Sequence, residues 1–196
     1  MSEQQDVLIK DKNRGGLGTN ATFLKEGDVL TNKWGPLTKD MIKNYAKTTD
    51  TAYPIHTNDI IARILGLKGV IAHGLLGCAV VTDFLDTLIK DGEIVDCNFQ
   101  MRGIMRPGDR CIITATVLRI EGDNIEFEIV QKTKTPIVLI ENGQIVEKFK
   151  AYKRGWISKK DTSRNLIKTE KIGHKILRFR LRTATLGKVI IRRSRG

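Results

Sequence analysis

Ile71-Ala72-His73-Gly74-Leu75-Leu76-Gly77-Cys78-Ala79-Val80-Val81-Thr82-Asp83-Phe84-Leu85-Asp86-Thr87-Leu88-Ile89-Lys90 reads as one helix from Gly74 to about Lys90. Leu75, Leu76, Ala79, Val80, Phe84, Leu85 and Leu88 cover most of its circumference, and a helix that apolar is buried on several sides. Asp91-Gly92 stops it, and the chain then turns β-like. Ile94 to Met105 reads as a strand and Arg106-Pro107-Gly108-Asp109 as a turn. Cys111 to Ile120 alternates, Glu121-Gly122-Asp123-Asn124 is a tight hairpin, and Ile125 to Lys132 alternates again. Thr135 to Ile140 and Gln144 to Trp156 are two more strands, the second long, with Glu141-Asn142-Gly143 between them. One long apolar helix followed by an antiparallel meander predicts an α+β domain, a curved antiparallel sheet wrapped around one long buried helix.

Upstream, Val29 to Trp34 is a short strand broken by Gly35-Pro36. Thr38 caps a helix ending near Thr49, with Met41, Ile42, Tyr45 and Ala46 at helical spacing. Pro54 makes the stretch Asp50 to His56 a loop. Thr57 then caps a short helix whose inner side is Ile60, Ile61, Ile64 and Leu65. Residues 1–22 show no period and read as a flexible arm. The core domain is therefore expected over residues 23–157.

The net charge of +12 is unevenly spread. Residues 158–196 hold 13 Lys and Arg against 2 acids, whereas residues 1–157 hold 21 against 20. The expectation is a nearly neutral domain with a poorly ordered basic extension over 158–196. Arginines 178, 180 and 182 could meet phosphate, but aromatics are scarce there and no RNA-binding motif is present, which argues against a nucleic-acid partner. The start, Met-Ser-Glu-Gln-Gln-Asp, lacks the pattern of a signal peptide, and no apolar run is long enough to span a membrane. Cys78, Cys97 and Cys111 are an odd number without metal-ligand spacing, so they read as reduced thiols of a cytoplasmic protein with no metal site.

The stretch Thr48-Thr49-Asp50-Thr51-Ala52-Tyr53-Pro54-Ile55-His56-Thr57-Asn58-Asp59, with Ala62, Gly66 and Ile71-Ala72-His73-Gly74-Leu75-Leu76, resembles the hydratase signature of the MaoC-like hotdog family, which includes the (R)-specific enoyl-CoA hydratases. Arg106-Pro107-Gly108-Asp109 and the lead-in Leu37-Thr38, Ile42 and Tyr45-Ala46 are similar as well. The resemblance implies a hotdog fold and reversible hydration of a trans-2-enoyl-CoA to a (R)-3-hydroxyacyl-CoA. It implies no metal or organic cofactor, a CoA or acyl carrier protein thioester as substrate, and a homodimer. One position departs from the pattern. Tyr53 stands where the family has Asn, and an extra residue separates Asp50 from His56, leaving Thr51 at the usual acid spacing. If the loop bulges by one residue, Asp50 reaches the site. If it does not, the chain is a non-catalytic relative that binds acyl-CoA or serves as a partner subunit.

Hydration of an enoyl thioester needs a base for water, a proton for the α-carbon and a donor to the thioester oxygen. Asp50 and His56 are the catalytic candidates, one taking the proton of a shared water and the other orienting it or supplying the α-proton. The Gly74 amide, at the start of the long helix, is the candidate oxyanion donor. His73 and Tyr53 are placed beside it as site residues. Plainer roles compete: His56 as a cap for the next helix, His73 as an organiser of its turn, and Tyr53 as a packing residue.

Overall fold

The computed structural model describes residues 7–9, 23–51, 53–89 and 91–194, with only the backbone described at 7–9 and 88. Most of the expected flexible arm, 1–22, lies outside the described residues, as do Ala52 and Lys90. Within that arm, β1 (Val7–Ile9) pairs antiparallel with β2 (Val29–Trp34), so part of it belongs to the sheet.

Thr38 caps α1 (Lys39–Thr48) as expected, its hydroxyl accepting from the Met41 amide at 3.0 Å. Pro54 opens a short helix, α2 (Pro54–Thr57), where a loop was expected. Proline is well suited to the first helical position, where its missing N–H has no partner to lose. Asn58, not Thr57, caps α3 (Asp59–Ile64), its Oδ1 accepting from the Ile60 and Ile61 amides. The side expected to face inward is exposed: Ile64 is 77% accessible, and Ile60 and Leu65 are open too. Ala62 is the buried residue of α3. The long helix α4 spans Gly74–Leu88. Leu76, Val80, Val81, Phe84 and Leu85 are buried, but Leu75 is 61% exposed and Ala79 is also open, so α4 is buried along one face only.

The sheet is formed by β3 (Gly92–Met101), β4 (Arg110–Glu121), β5 (Asn124–Glu141), β6 (Gln144–Lys148), β7 (Ile167–Ile172) and β8 (Lys175–Arg193) together with β1 and β2. Its order is β1-β2-β4-β5-β8-β3, with β6 added to β5 and β7 to β8, all antiparallel. Cys111, Ile113, Ala115 and Val117 of β4 and Ile125, Phe127 and Ile129 of β5 alternate inward against α4. This sheet folded around one helix is the hotdog architecture.

Three expectations need correction. The two strands expected over 125–132 and 135–140 are one, because bulges at Gln131/Lys132 and Pro136/Val138 absorb the irregularity without ending β5. The long last strand expected over 144–156 stops at Lys148, and a helical turn, α5 (Lys150–Lys153), follows. The poorly ordered extension expected over 158–196 is structural. It forms α6 (Lys159–Ser163), with Ser158 and Asp161 in a reciprocal capping box, then β7 and β8. β8 lies inside the sheet between β5 and β3, with Val189 and Ile191 in the core. Its basic residues belong to alternating strand positions whose other members are apolar, so its charge conceals a core strand.

Candidate active site

The site begins where α1 ends. Thr49 is the C-cap, and Asp50 follows with φ of 49°. The Asp50 amide donates to the Lys47 carbonyl at 3.4 Å and the Thr51 amide to the Ala46 carbonyl at 2.9 Å. This pair of bonds is a Schellman motif, and Asp50 holds its left-handed position, where Gly or Asn is usual. The extra residue before His56 is thus spent on closing α1. The Asp50 side chain is exposed and forms no hydrogen bond or ion pair among the described residues.

Past this turn the chain re-enters α2, which carries His56. The His56 Nδ1 lies 2.8 Å from the Ile71 carbonyl oxygen. A carbonyl only accepts, so Nδ1 carries the proton and Nε2 of the neutral ring keeps its lone pair. Burial pushes the His56 pKa below its ordinary value; the Ile71 bond opposes this and the neighbouring His73 adds to it. His56 does not cap α3, since Asn58 does. The His73 ring stacks on it, centroids 3.5 Å apart. Nε2 of His73 lies 2.8 Å from the Thr51 carbonyl oxygen, which holds the loop after α1 against the start of α4. By the same logic Nε2–H donates there. Nδ1 of His73 is buried and has no partner among the described residues.

His73 is also the N-cap of α4 and makes no side-chain cap bond. The first amides of α4, Gly74 and Leu75, therefore point beside the stacked imidazoles without a capping side chain. A side chain at Gly74 would collide with the Met101 sulfur, so the thioether of β3 closes directly over this helix end. Tyr53 meets His56 edge-on at 6.4 Å and is 61% exposed, so it borders the site instead of packing into the core. The structure thus brings together His56, His73, Tyr53 and the start of α4 at Gly74, and leaves Asp50 on the outer turn.

Two groups that sequence reading gave no site role hold this arrangement. Tyr45 of α1 lies 5.4 Å from the His73 ring, at helical spacing from Ile42 but on the side facing the site. Asp59 ties three segments together: it bonds Lys39 Nζ, the Val70 amide at 2.9 Å and Arg154 Nη1 at 3.3 Å. Burial alone would raise the Asp59 pKa, but the bonds from Lys39, Val70 and Arg154 outweigh it and hold the carboxyl well below the usual range. Arg154 comes from the segment after β6, so nothing local in sequence announces the pair. Further stitches fix the approach to α4: Ile71 N to Ile55 O at 3.2 Å, Ala72 N to Met105 O at 2.9 Å and Arg106 Nη1 to Leu67 O at 2.6 Å.

A family model described as MaoC like domain matches residues 22–139, and the chain belongs to that family. Among solved structures, the unliganded R-hydratase PhaJ1 from Pseudomonas aeruginosa is similar with a TM-score of 0.62 at 12% identity, over 98% of this chain and 90% of that one. The ChsH1-ChsH2 complex from Mycobacterium tuberculosis is similar with a TM-score of 0.58 at 12% identity, over 86% and 98%. The (R)-hydratase from A. caviae involved in PHA biosynthesis has a TM-score of 0.57 at 11% identity, over 88% and 98%. At these identities the likeness establishes the hotdog fold. No curated protein matches the chain. No helix among the described residues is long and apolar enough to cross a membrane.

Proposed function

We propose that the chain catalyses reversible hydration of a trans-2-enoyl thioester, carried by CoA or an acyl carrier protein, to the (R)-3-hydroxyacyl thioester. The observation that carries this reading is the anchoring of His56. Its Nδ1 faces the Ile71 carbonyl, and its lone-pair Nε2 is left as a base beside the uncapped start of α4. Nε2 takes a proton from water as the oxygen joins the β-carbon. The imidazolium then returns a proton to the α-carbon, so the elements of water are added and the enzyme is regenerated. The Gly74 amide and the helix dipole stabilise the enolate-like thioester oxygen. Asp50, exposed on the turn before Tyr53, is assigned to orienting the water, and Tyr53 and His73 to lining the thioester. The exposed Ile60, Ile64, Leu65, Leu75 and Met101 around the site support a second copy of this cytoplasmic chain as the partner covering it.

The test is loss of the conjugated-thioester absorbance on adding crotonyl-CoA. His56→Ala is expected to slow this about 10²–10⁴-fold, and an unchanged rate rejects the assignment. A second reading is a MaoC-like chain that binds acyl-CoA without turnover, or that serves as a partner subunit. It is favoured by one observation: Asp50 is committed to closing α1, with its carboxylate bonded to nothing among the described residues. Saturable acyl-CoA binding by the unaltered chain with no absorbance change selects this reading.

A further inference from the structure

The hairpin of β5 and β8 runs beyond the main sheet. There β6 and β7 flank it in the order β6-β5-β8-β7, and the chain between them supplies α5 and α6. This lobe lies outside the matched family region, apart from the start of its β5 arm. It encloses a groove of about 300 Å³ whose apolar lining includes Ile137, Val138, Ala151, Ile157 and Ile167, with Arg178 and Thr162 also on its wall. No residue of α2, α3 or α4 lines it.

Five other cations on these strands are paired. Lys134 meets Glu170, Lys175 meets Glu141, Arg180 meets Asp161, Lys188 meets Glu126 and Arg192 meets Glu93. Arg178 is exposed and forms no side-chain hydrogen bond or ion pair among the described residues. Asp161, the acid of α6, is taken by Ser158 and Arg180. Residues 142–182 carry 13 Lys and Arg against 3 Asp and Glu, so the surrounding field favours an anion.

An apolar wall, one uncommitted guanidinium and a positive field suit a ligand with a hydrocarbon body and a single anionic end. We propose that this groove is a binding site for a small apolar monocarboxylate, with its carboxylate on Arg178 and its chain along Val138, Ile157 and Ile167. At about 30 Å³ per water-sized group, the volume holds roughly ten such groups, which is the size of octanoate. The proposal stands whether or not His56 is catalytic.

The experiment is calorimetric titration of the full chain with octanoate and with octanol. Two variants at exposed positions are titrated in parallel: Arg178→Leu, which removes the charge, and Thr162→Trp, which fills the groove. Melting curves establish that both are folded. The expected result is saturable one-to-one octanoate binding, weakened at least about tenfold in Arg178→Leu and likewise in Thr162→Trp, with octanol binding weaker by a similar factor. No octanoate binding up to millimolar concentration overturns the proposal. So does affinity unchanged in the two variants, which would place the ligand at the His56 site, and so does octanol binding as tightly as octanoate.

Discussion

Removing residues 160–196 is expected to destroy the fold, although this segment carries most of the net charge and reads as an appendage. The deletion takes out β7 and β8, and β8 pairs with β5 from Asn124 to Ile140 and with β3 from Gly92 to Met101. β5 loses one side of its ladder in the middle of the sheet, and the edge strand β3 is left with no strand partner among the described residues. Leu177, Phe179, Val189 and Ile191 leave buried positions. At about 1.5–3 kcal/mol for each buried apolar side chain, the loss is roughly 6–12 kcal/mol before any hydrogen bond is counted. The total stability of a domain is about 5–15 kcal/mol, so the truncated chain has little or none left. Loss of Arg180 also leaves the Trp156 carbonyl without its guanidinium partner. The assay compares the full chain and the 1–159 fragment by near-ultraviolet circular dichroism and thermal unfolding. The fragment is expected to lack near-ultraviolet signal and a cooperative transition. A fragment that melts cooperatively within a few degrees of the full chain would refute the placement of β8 inside the sheet.

Asp50→Gly is expected to stabilise the protein by about 0.5–1 kcal/mol, because glycine meets the left-handed C′ position without strain; differential scanning calorimetry reads this as a rise of a few degrees at most. Gln131→Leu is expected to cost about 1–3 kcal/mol, since buried Gln131 donates to the Gly77 carbonyl of α4 at 3.1 Å and accepts from Thr185 at 2.8 Å; chemical denaturation measures the loss. The acid limb of the hydration rate is expected below the ordinary imidazole value of 6.5, because burial disfavours the charged form of His56. The unfolded chain then binds the extra proton first, so this residue's stability contribution is full above pH 6.5 and falls as pH drops through 6.5 toward the folded value. His73→Asn removes one of the causes and is expected to move the His56 titration part of the way back up, as followed by proton NMR of the ring.

The long helix and the β4–β5 pairing were legible because their signals are local. An apolar run of helical length and two alternating stretches around a Gly-Asp turn each specify their own geometry. What was not legible depends on partners distant in sequence. The lysines and arginines of β8 look like a solvated tail until the strand is placed beside β5, where Glu126, Glu141 and Asp161 neutralise several of them. The inward positions of β5 change from Ile125, Phe127 and Ile129 to Gln131, Thr133 and Thr135, and these polar residues are buried because α4 and β8 supply their bonds. The exposed apolar side of α3 misleads for the opposite reason. Isoleucines at helical spacing mark a face that seeks cover, and periodicity does not say whether the cover comes from the same chain.

The same distinction governs the site. His56 and Gly74 were singled out as candidates by the signature they belong to, and the structure shows how the segments that carry them meet: α2 and the 70–73 segment are stitched through Ile55 and Ile71, and the two imidazole rings stack across the seam. Asp50 is different because its position in sequence satisfies two demands that compete. A carboxylate six residues before the imidazole suggests a catalytic acid, while a short polar residue after a helix C-cap suggests a left-handed turn. The backbone satisfies the second demand. The first is met only if the exposed carboxylate reaches water bound at Nε2 from that turn. Asp50→Gly and Asp50→Asn separate the two, since the first relaxes the turn and removes the carboxylate, whereas the second keeps a residue suited to the turn and removes only the charge. A catalytic acid predicts that both lose hydration while glycine gains stability. A purely structural residue predicts that asparagine changes neither rate nor melting appreciably.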